Sequence, residues 1–320
     1  MKKRSISIVV PCYNEEEVFP FLSQAMSRLA DELADRFEVE IILIDDGSTD
    51  TTWGLINALA SDDPRFRGVS LSRNFGHQFA LSCGYDLASG EAVVCMDADL
   101  QDPPEVVKQM LQEWEKGADV VLAIRSRREG ETRFKLWTAR LFYWLFNRIS
   151  GTNLASESGD FRLLSRRALL ALRQLREQHR FVRGMVGWIG FNSVELHYER
   201  NPRVAGKTKY PFLKMLRLAV DAAVSFSFYP LRISYIAATL LAVIFLSYLG
   251  YSVILAILFG REVVKGWPSL ILVTIAFGSA NLFCLGVLGE YLGRIYEQSK
   301  QRPLYLLRDD TRPNGEGDHE

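Results

Sequence analysis

Cysteine is scarce in this chain. There are four among 320 residues, Cys12, Cys83, Cys95 and Cys284, far apart and without metal-ligand spacing. The apolar surroundings of Cys12, Cys83 and Cys95 predict buried free thiols and a reducing compartment. Net charge is missing too: 38 Lys and Arg balance 38 Asp and Glu, so bulk electrostatics suggests no nucleic-acid binder. No glycine-rich Walker loop is present, which excludes a P-loop nucleotidase. No G-x-G-x-x-G follows the first apolar run, which argues against a dinucleotide dehydrogenase. No Ser/His/Asp arrangement stands out, and His77 reads as structural. The N-terminal Met-Lys-Lys-Arg-Ser has no signal-peptide apolar core, so the catalytic part is expected to stay in the cytoplasm.

What is present begins with short apolar runs alternating with helical spacing. Ile6–Val10, Val39–Ile44, Gly68–Leu71, Ala92–Met96 and Val120–Ile124 read as strands; the first two and the run before Asp97 have the continuous apolar character of buried parallel strands. Helices are expected over Val18–Phe37, after Asp50, through Ala88 and over Pro104–Gly117. Strands alternating with helices give a doubly wound α/β domain, with its polar clusters on one rim. The segment after Asp309 reads as a frayed tail.

Charge then disappears twice, over Ile233–Gly260 and Gly266–Gly289. Each run exceeds the roughly 20 residues that cross a bilayer, and the linker Arg261–Lys265 is too short for a domain, so a two-helix transmembrane hairpin is expected. Lys207, Lys209, Lys214, Arg217 and Arg232 precede it and Arg294, Lys300 and Arg302 follow it. They outnumber Arg261 and Lys265 in the linker, which puts the α/β domain and both termini in the cytoplasm, with two spans in the plasma or inner membrane. Arg133–Ile149 interleaves aromatic and basic residues without an acid; it fits either a core helix with a basic face or an interfacial helix, and the later apolar runs favour the interface. Tyr210–Tyr229 is a second interfacial candidate.

The chemistry centres on Val93–Pro104. Its apolar run ends in Asp97, Asp99, Gln101 and Asp102 before two prolines. In an extended segment Asp97, Asp99 and Gln101 share a side, and carboxylate with amide oxygens suits a hard divalent cation that leaves positions for phosphates. An acidic turn capping the next helix is the plainer alternative. Further polar clusters are Pro11-Cys-Tyr-Asn-Glu15, Asp45-Asp-Gly-Ser48, Arg73-Asn74, Ser158–Leu164 and Glu199–Tyr210. Acids would hold base, ribose and metal, while arginines and lysines neutralise phosphates.

The order V-P-C-Y-N-E, D-D-G-S, S-R-N-F-G-H, D-A-D-L-Q-D-P-P, G-D-F-R-L-L, R-x-x-G-K-T-K-Y and G-E-Y-L-G-R-I-Y resembles the family 2 glycosyltransferases. It is most similar to their polyisoprenyl-phosphate branch, the bactoprenol glucosyltransferases and dolichol-phosphate mannose synthases, from about Ser5 to Leu307. The resemblance implies a GT-A fold, a nucleotide-sugar donor, Mg²⁺ or Mn²⁺, a polyprenyl phosphate acceptor and a homo-oligomer, a tetramer among its forms. It implies that Pro11, Tyr13, Glu15 and Asp45 line the base and ribose pocket, with Asp46 in the same patch; Asn14, Arg73 and Asn74 are further substrate-binding candidates. Asp97, Asp99 and Gln101 match the metal and diphosphate motif. Arg125 and Gly159–Arg162 match the sugar and acceptor side, with Asp160 the candidate catalytic carboxylate. Arg200, Arg203, Lys207 and Lys209 fall on a basic loop near the phosphates. Glucose from UDP-glucose is the expected donor, with GDP-mannose, UDP-N-acetylglucosamine and UDP-arabinose-type donors open. A non-catalytic sugar-nucleotide-binding membrane scaffold is the rival of another class. The expected organisation is a nucleotide-sugar and metal core over 1–132, an acceptor-side part with interfacial helices over 133–230, the hairpin over 231–290 and a tail over 291–320.

Overall fold

A computed structural model describes residues 3–125, 158–199, 229–259 and 267–312. The chain divides into two compact units, Met1–Phe212 with Pro303–Glu320, and Leu213–Arg302. The first unit is built on an eight-stranded sheet. Its strands are β1 (Arg4–Cys12), β2 (Phe37–Asp45), β3 (Phe66–Leu71), β4 (Ala92–Cys95), β5 (Val120–Arg125), β6 (Ser158–Ser165), β7 (Ser193–Tyr198) and β8 (Leu307–Asp310). Helices α1 (Phe19–Leu33), α2 (Thr52–Asp62), α3 (His77–Leu87), α4 (Val106–Glu115), α5 (Arg166–Gln174) and α6 (Val182–Trp188) connect or flank them.

The sheet order is β7-β5-β6-β4-β1-β2-β3-β8. β1 pairs in parallel with β2 and β4, β2 with β3, and β5 with β7; β6 and β8 run antiparallel to their neighbours. The chain winds outward from β1 to β3 and then returns to place β4 on the other side of β1. That reversal opens a crevice between the carboxyl ends of β1 and β4, where such sheets bind ligands. Ile6, Ile8, Val9 and Val10 are all fully buried. Helices cover both faces, so β-branched side chains succeed at consecutive positions instead of alternating. α1 buries Phe19, Leu22, Met26, Leu29, Ala30 and Leu33, one stripe at helical spacing.

Three strands lie beyond the five legible as apolar runs. Of these, β6 carries Asp160 back to the rim where β4 ends, because Cys95 pairs with Arg162 in antiparallel register. The segment after Asp309, expected to fray, begins anchored: Asp310 ends β8 and Thr311 and Arg312 tie it down, while 313–320 lie outside the described residues. Arg67 meets Asp310 at 2.6 Å, the Gly68 amide donates to Thr311 Oγ1 at 2.9 Å, and Arg312 Nη1 reaches Glu40 Oε1 at 2.6 Å.

Glu40 also accepts from the Ser7 hydroxyl at 2.7 Å and the Ser89 hydroxyl at 2.8 Å. Burial alone would raise its pKa, but these bonds and Arg312 outweigh it and hold the carboxyl below the ordinary glutamate range. A depressed native pKa means stability that is complete above the ordinary carboxyl range and lost as pH falls through the native value. Acid unfolding of Glu40→Gln should therefore show a shallower loss of stability below neutrality than wild type. Identical pH slopes would refute this linkage.

The second unit contains α7 (Tyr229–Phe259) and α8 (Trp267–Ser299), which touch through Phe245 and Phe277, ring centroids 5.2 Å apart. Among the described residues one helix is long and apolar enough to cross a membrane, Leu270–Ser299; Ala238–Tyr251 is a shorter apolar stretch. Ile236, Leu240, Leu246, Leu272 and Leu282 are exposed within this unit. The expected interfacial helix at 133–149, the one at 210–229 apart from Tyr229, which begins α7, and the linker at 261–265 lie outside the described residues.

Candidate active site

The rim is assembled from loops that fasten one another. After β1, Asn14 takes φ 53°, its amide donates to Ser48 Oγ at 3.0 Å, and its side-chain oxygen accepts from the Thr49 amide at 2.9 Å. The Glu15 amide donates to Thr52 Oγ1 at 2.9 Å. Asp50 accepts an amide at the start of α2, from Thr52 at 3.0 Å. Pro11 is buried, while Tyr13 presents an exposed ring on the rim.

The two carboxylates after β2 are turned inward. Asp45 is 0% exposed and accepts from the Ser48 amide at 3.0 Å and the Ser70 hydroxyl at 2.8 Å. Asp46 accepts from the amides of Phe75 at 2.8 Å and Gly76 at 2.9 Å, so it holds the loop after β3. That loop offers Arg73, whose guanidinium lies 4.0 Å from the Phe75 ring centroid, and the exposed Asn74.

Gly47 makes this arrangement possible. Its φ is +67°, and a Cβ there would fall 2.3 Å from the Arg73 carbonyl carbon and 2.5 Å from the Asn74 nitrogen. Gly76 also has positive φ, +104°, but nothing stands near its missing Cβ. Gly47→Ala should therefore destabilise well beyond the strain cost of about 1–3 kcal/mol shared with Gly76→Ala. Equal melting-temperature losses in the two variants would mean that this close approach is unimportant.

The D-x-D segment departs from its expected geometry. β4 stops at Cys95, residues 98 and 99 form a turn, and Leu100 takes φ 52°. Strand alternation therefore does not place Asp97, Asp99 and Gln101 on one side; the turn presents them instead. Asp99 Oδ1 accepts from the Gln101 amide at 3.2 Å. Asp97 Oδ1 is buried without a hydrogen-bond partner. Burial raises the Asp97 pKa, the neighbouring His77 opposes the shift, and Asp160, Asp102 and Asp99 add to it. Such an orphaned oxygen in an acidic crowd fits a cation. Among the described residues no three His, Cys, Asp or Glu side chains gather to hold a metal by themselves.

Beside this turn Asp160 is clamped by cations. Arg162 Nη2 donates to its Oδ1 at 2.6 Å, Arg183 approaches both oxygens at 3.1 Å, and His77 Nε2 lies 3.3 Å from Oδ2. Burial would raise the Asp160 pKa, but Arg183, His77 and Arg162 outweigh it and hold the carboxyl well below the usual range. Arg162 is 1% exposed and also donates to the Gly159 and Asp160 carbonyls, so its guanidinium is spent inside the protein rather than offered to a ligand. His77 is not remote from the chemistry. It stands between Asp160 and Asp97, 3.7 Å from Asp97 Oδ1, and these two carboxylates raise its pKa against the opposing effect of burial.

Arg125 closes the site at the end of β5. It donates to the Tyr198 hydroxyl at 3.2 Å and approaches Asp102 at 3.5 Å, and Tyr198 donates a short bond to Asp102. The structure thus brings Tyr13, Asn14, Glu15, Asp97, Asp99, Arg125 and Asp160 to one rim and turns Asp45, Asp46 and Arg162 inward. Arg200, Arg203, Lys207 and Lys209 lie outside the described residues. Arg183 was missed by sequence reasoning because nothing in Phe-Val-Arg-Gly marks it; only the fold of α6 against β6 does.

A mostly parallel sheet with carboxylates at the β1/β4 reversal defines an α/β enzyme of the GT-A-like class, and the comparisons agree. Residues 7–173 match glycosyl transferase family 2, and the chain belongs to that family. It is 43% identical over 306 residues to a bactoprenol glucosyl transferase of Shigella phage SfV, covering 95% of this chain and 98% of that one. It is 41% identical over 302 residues to an uncharacterized glycosyltransferase, YkcC, of Bacillus subtilis, covering 94% and 93%. Among solved structures, glucosyl-3-phosphoglycerate synthase from Mycobacterium tuberculosis, in complex with Mn²⁺, UDP-glucose and phosphoglyceric acid, aligns with a TM-score of 0.44 at 22% identity over 69% of this chain and 78% of that chain.

Proposed function

We propose that this chain transfers a hexose, glucose from UDP-glucose, to undecaprenyl phosphate with inversion, giving a lipid-phosphate-linked sugar for glycan or lipopolysaccharide modification. The observation that carries this reading is the 43% identity to a bactoprenol glucosyl transferase along 95% of this chain and 98% of that one, spanning both the carboxylate rim and the apolar helices. The acceptor's second phosphate pKa lies near about 6, so the nucleophile is already an anion at neutral pH and little general-base power is required. The difficulty is bringing two anions together, which calls for positive charge at the rim.

Asp97 and Asp99, with Gln101, would hold Mg²⁺ or Mn²⁺, which supplies charge neutralisation of the donor diphosphate. Two carboxylates plus substrate phosphates are a usual ligand set for Mg²⁺. Arg125 lies on the sugar and acceptor side, and Arg200, Arg203, Lys207 and Lys209 would neutralise phosphates from the basic loop. Asp160, fixed by His77, Arg162 and Arg183, orients rather than deprotonates. The helices α7 and α8 form a two-span hairpin in the plasma or inner membrane, with the α/β unit and both termini cytoplasmic and interfacial helices at the headgroups; the exposed Leu and Ile side chains of the second unit support this reading. A homo-oligomer is part of the same proposal.

The test is a donor panel. Membranes containing the protein, Mg²⁺ and undecaprenyl phosphate should move label into the organic phase from UDP-glucose, and less or none from GDP-mannose, UDP-N-acetylglucosamine or UDP-arabinose-type donors. A better donor among the other three would replace glucose. No organic-phase label with any donor would refute the transferase reading.

A further inference from the structure

β8 returns to the sheet eight residues after α8 ends and forms its edge beside β3. It lies antiparallel to β3, with Ser70 opposite Asp309 and a register shift between Ser70 and Leu71. The Ser72 amide donates to the Leu306 carbonyl at 2.9 Å, so the segment before β8 is tied to the carboxyl end of β3. Arg308 projects there. Its Nη2 donates to Ser70 Oγ at 2.8 Å and lies 3.8 Å from Asp45 Oδ2, and its side chain is 44% exposed.

The resemblance gives Asp45 to the base and ribose pocket, yet Asp45 is 0% exposed, with the Ser48 amide and Ser70 hydroxyl on its two oxygens. A side chain with no accessible surface cannot itself read a ligand without displacing its partners. Arg308 is a partly exposed charged group within 3.8 Å of the buried Asp45. Asp45 and Ser70 anchor one edge of its guanidinium and Asp309 Oδ2 accepts from its Nε at 3.2 Å, which limits its rotamers and leaves the Nη1 donors for an oxygen-bearing ligand.

We propose that Arg308 is a donor-binding residue, positioned by Asp45 and Ser70, that contacts the carbonyl or ribose oxygens of the donor's nucleoside diphosphate. This rests on the glycosyltransferase reading above and deepens its donor site. It also makes the segment following the second membrane helix part of the nucleotide pocket. Arg312 sits at the far end of β8, on Glu40, outside that contact.

The experiment is calorimetric titration of the full-length protein in detergent with UDP and Mg²⁺. Wild type binds; Arg308→Ala should bind about tenfold more weakly, the loss of one charged hydrogen bond. Arg308→Gln, which can still bond Ser70, should show a similar drop, and Arg308→Lys should recover part of it. Arg312→Ala loosens β8 away from Asp45 and should stay within about twofold of wild type. In steady state the Arg308 variants should raise the donor KM with little change in kcat, the signature of lost uniform binding. UDP affinity unchanged in Arg308→Ala and Arg308→Gln, or an Arg312→Ala loss as large as theirs, would overturn the role of Arg308 alone. Wild-type protein that binds no nucleoside diphosphate would overturn the donor-site reading with it.

Discussion

Asp97→Ala and Asp99→Ala are each expected to lower kcat by at least about 10²–10³, the loss seen when one preorganised electrostatic stabiliser is removed. The physical ground is the crowding at the D-x-D turn. Asp97 carries a buried oxygen without a hydrogen-bond partner, and burial together with Asp160, Asp102 and Asp99 disfavours its charged form. Without a cation, that arrangement only destabilises the fold. Asp97→Ala should therefore melt no lower than wild type in chelator, and both alanine variants should lose the Mg²⁺-dependent rise in melting temperature expected of wild type with UDP. Near wild-type turnover at limiting metal would refute the assignment of that carboxylate.

Asp160 should give the second large effect, of a different kind. Asp160→Ala leaves buried Arg162 without its carboxylate, and breaking a buried pair from one side costs about 3–5 kcal/mol. Loss of stability and loss of turnover are expected together. Asp160→Asn is the informative variant, since it keeps the shape and changes the charge. The native carboxyl is held well below the ordinary range by Arg183, His77 and Arg162, so it stays ionised throughout the working pH range and is a poor proton acceptor. The pH–rate profile of wild type should then show an acidic limb to which the acceptor phosphate contributes near pH ~6 and Asp160 does not. Asp160→Asn should lower the whole profile and keep that limb. Disappearance of the limb in the variant would make Asp160 the base.

The parts of the fold that announce themselves are those where burial on both faces imposes an unbroken apolar run. Ile6–Val10 and Val39–Ile44 are of this kind. β6 escapes because Gly159, Asp160 and Arg162 look like a polar loop; they are buried only because each satisfies another. β7, Ser-Val-Glu-Leu-His-Tyr, is short and half exposed, and β8, Leu-Arg-Asp-Asp, is a charged edge strand of the sort that hides from hydropathy. The same limit governs the site. Motif spacing proposes Asp97 and Asp99 and the family resemblance proposes Asp160, but neither says that Asp45 and Asp46 turn inward onto Ser70, Ser48 and the amides of Phe75 and Gly76. Nor could either draw His77 from α3 and Arg183 from α6 onto one carboxylate. Those facts depend on which loops meet, and residues far apart in sequence decide that.

The central claim is transfer of a hexose onto a lipid phosphate, and the most direct measurement compares two acceptors that differ only in that group. Purified protein in detergent with Mg²⁺ and labelled UDP-glucose is offered undecaprenyl phosphate or undecaprenol at equal concentration. Label should pass only to the phosphate, and NMR of the product should show a β-linked sugar, the inverse of the α-linked donor. Equal labelling of the alcohol, an α-linked product, or no labelled lipid at all would contradict the account.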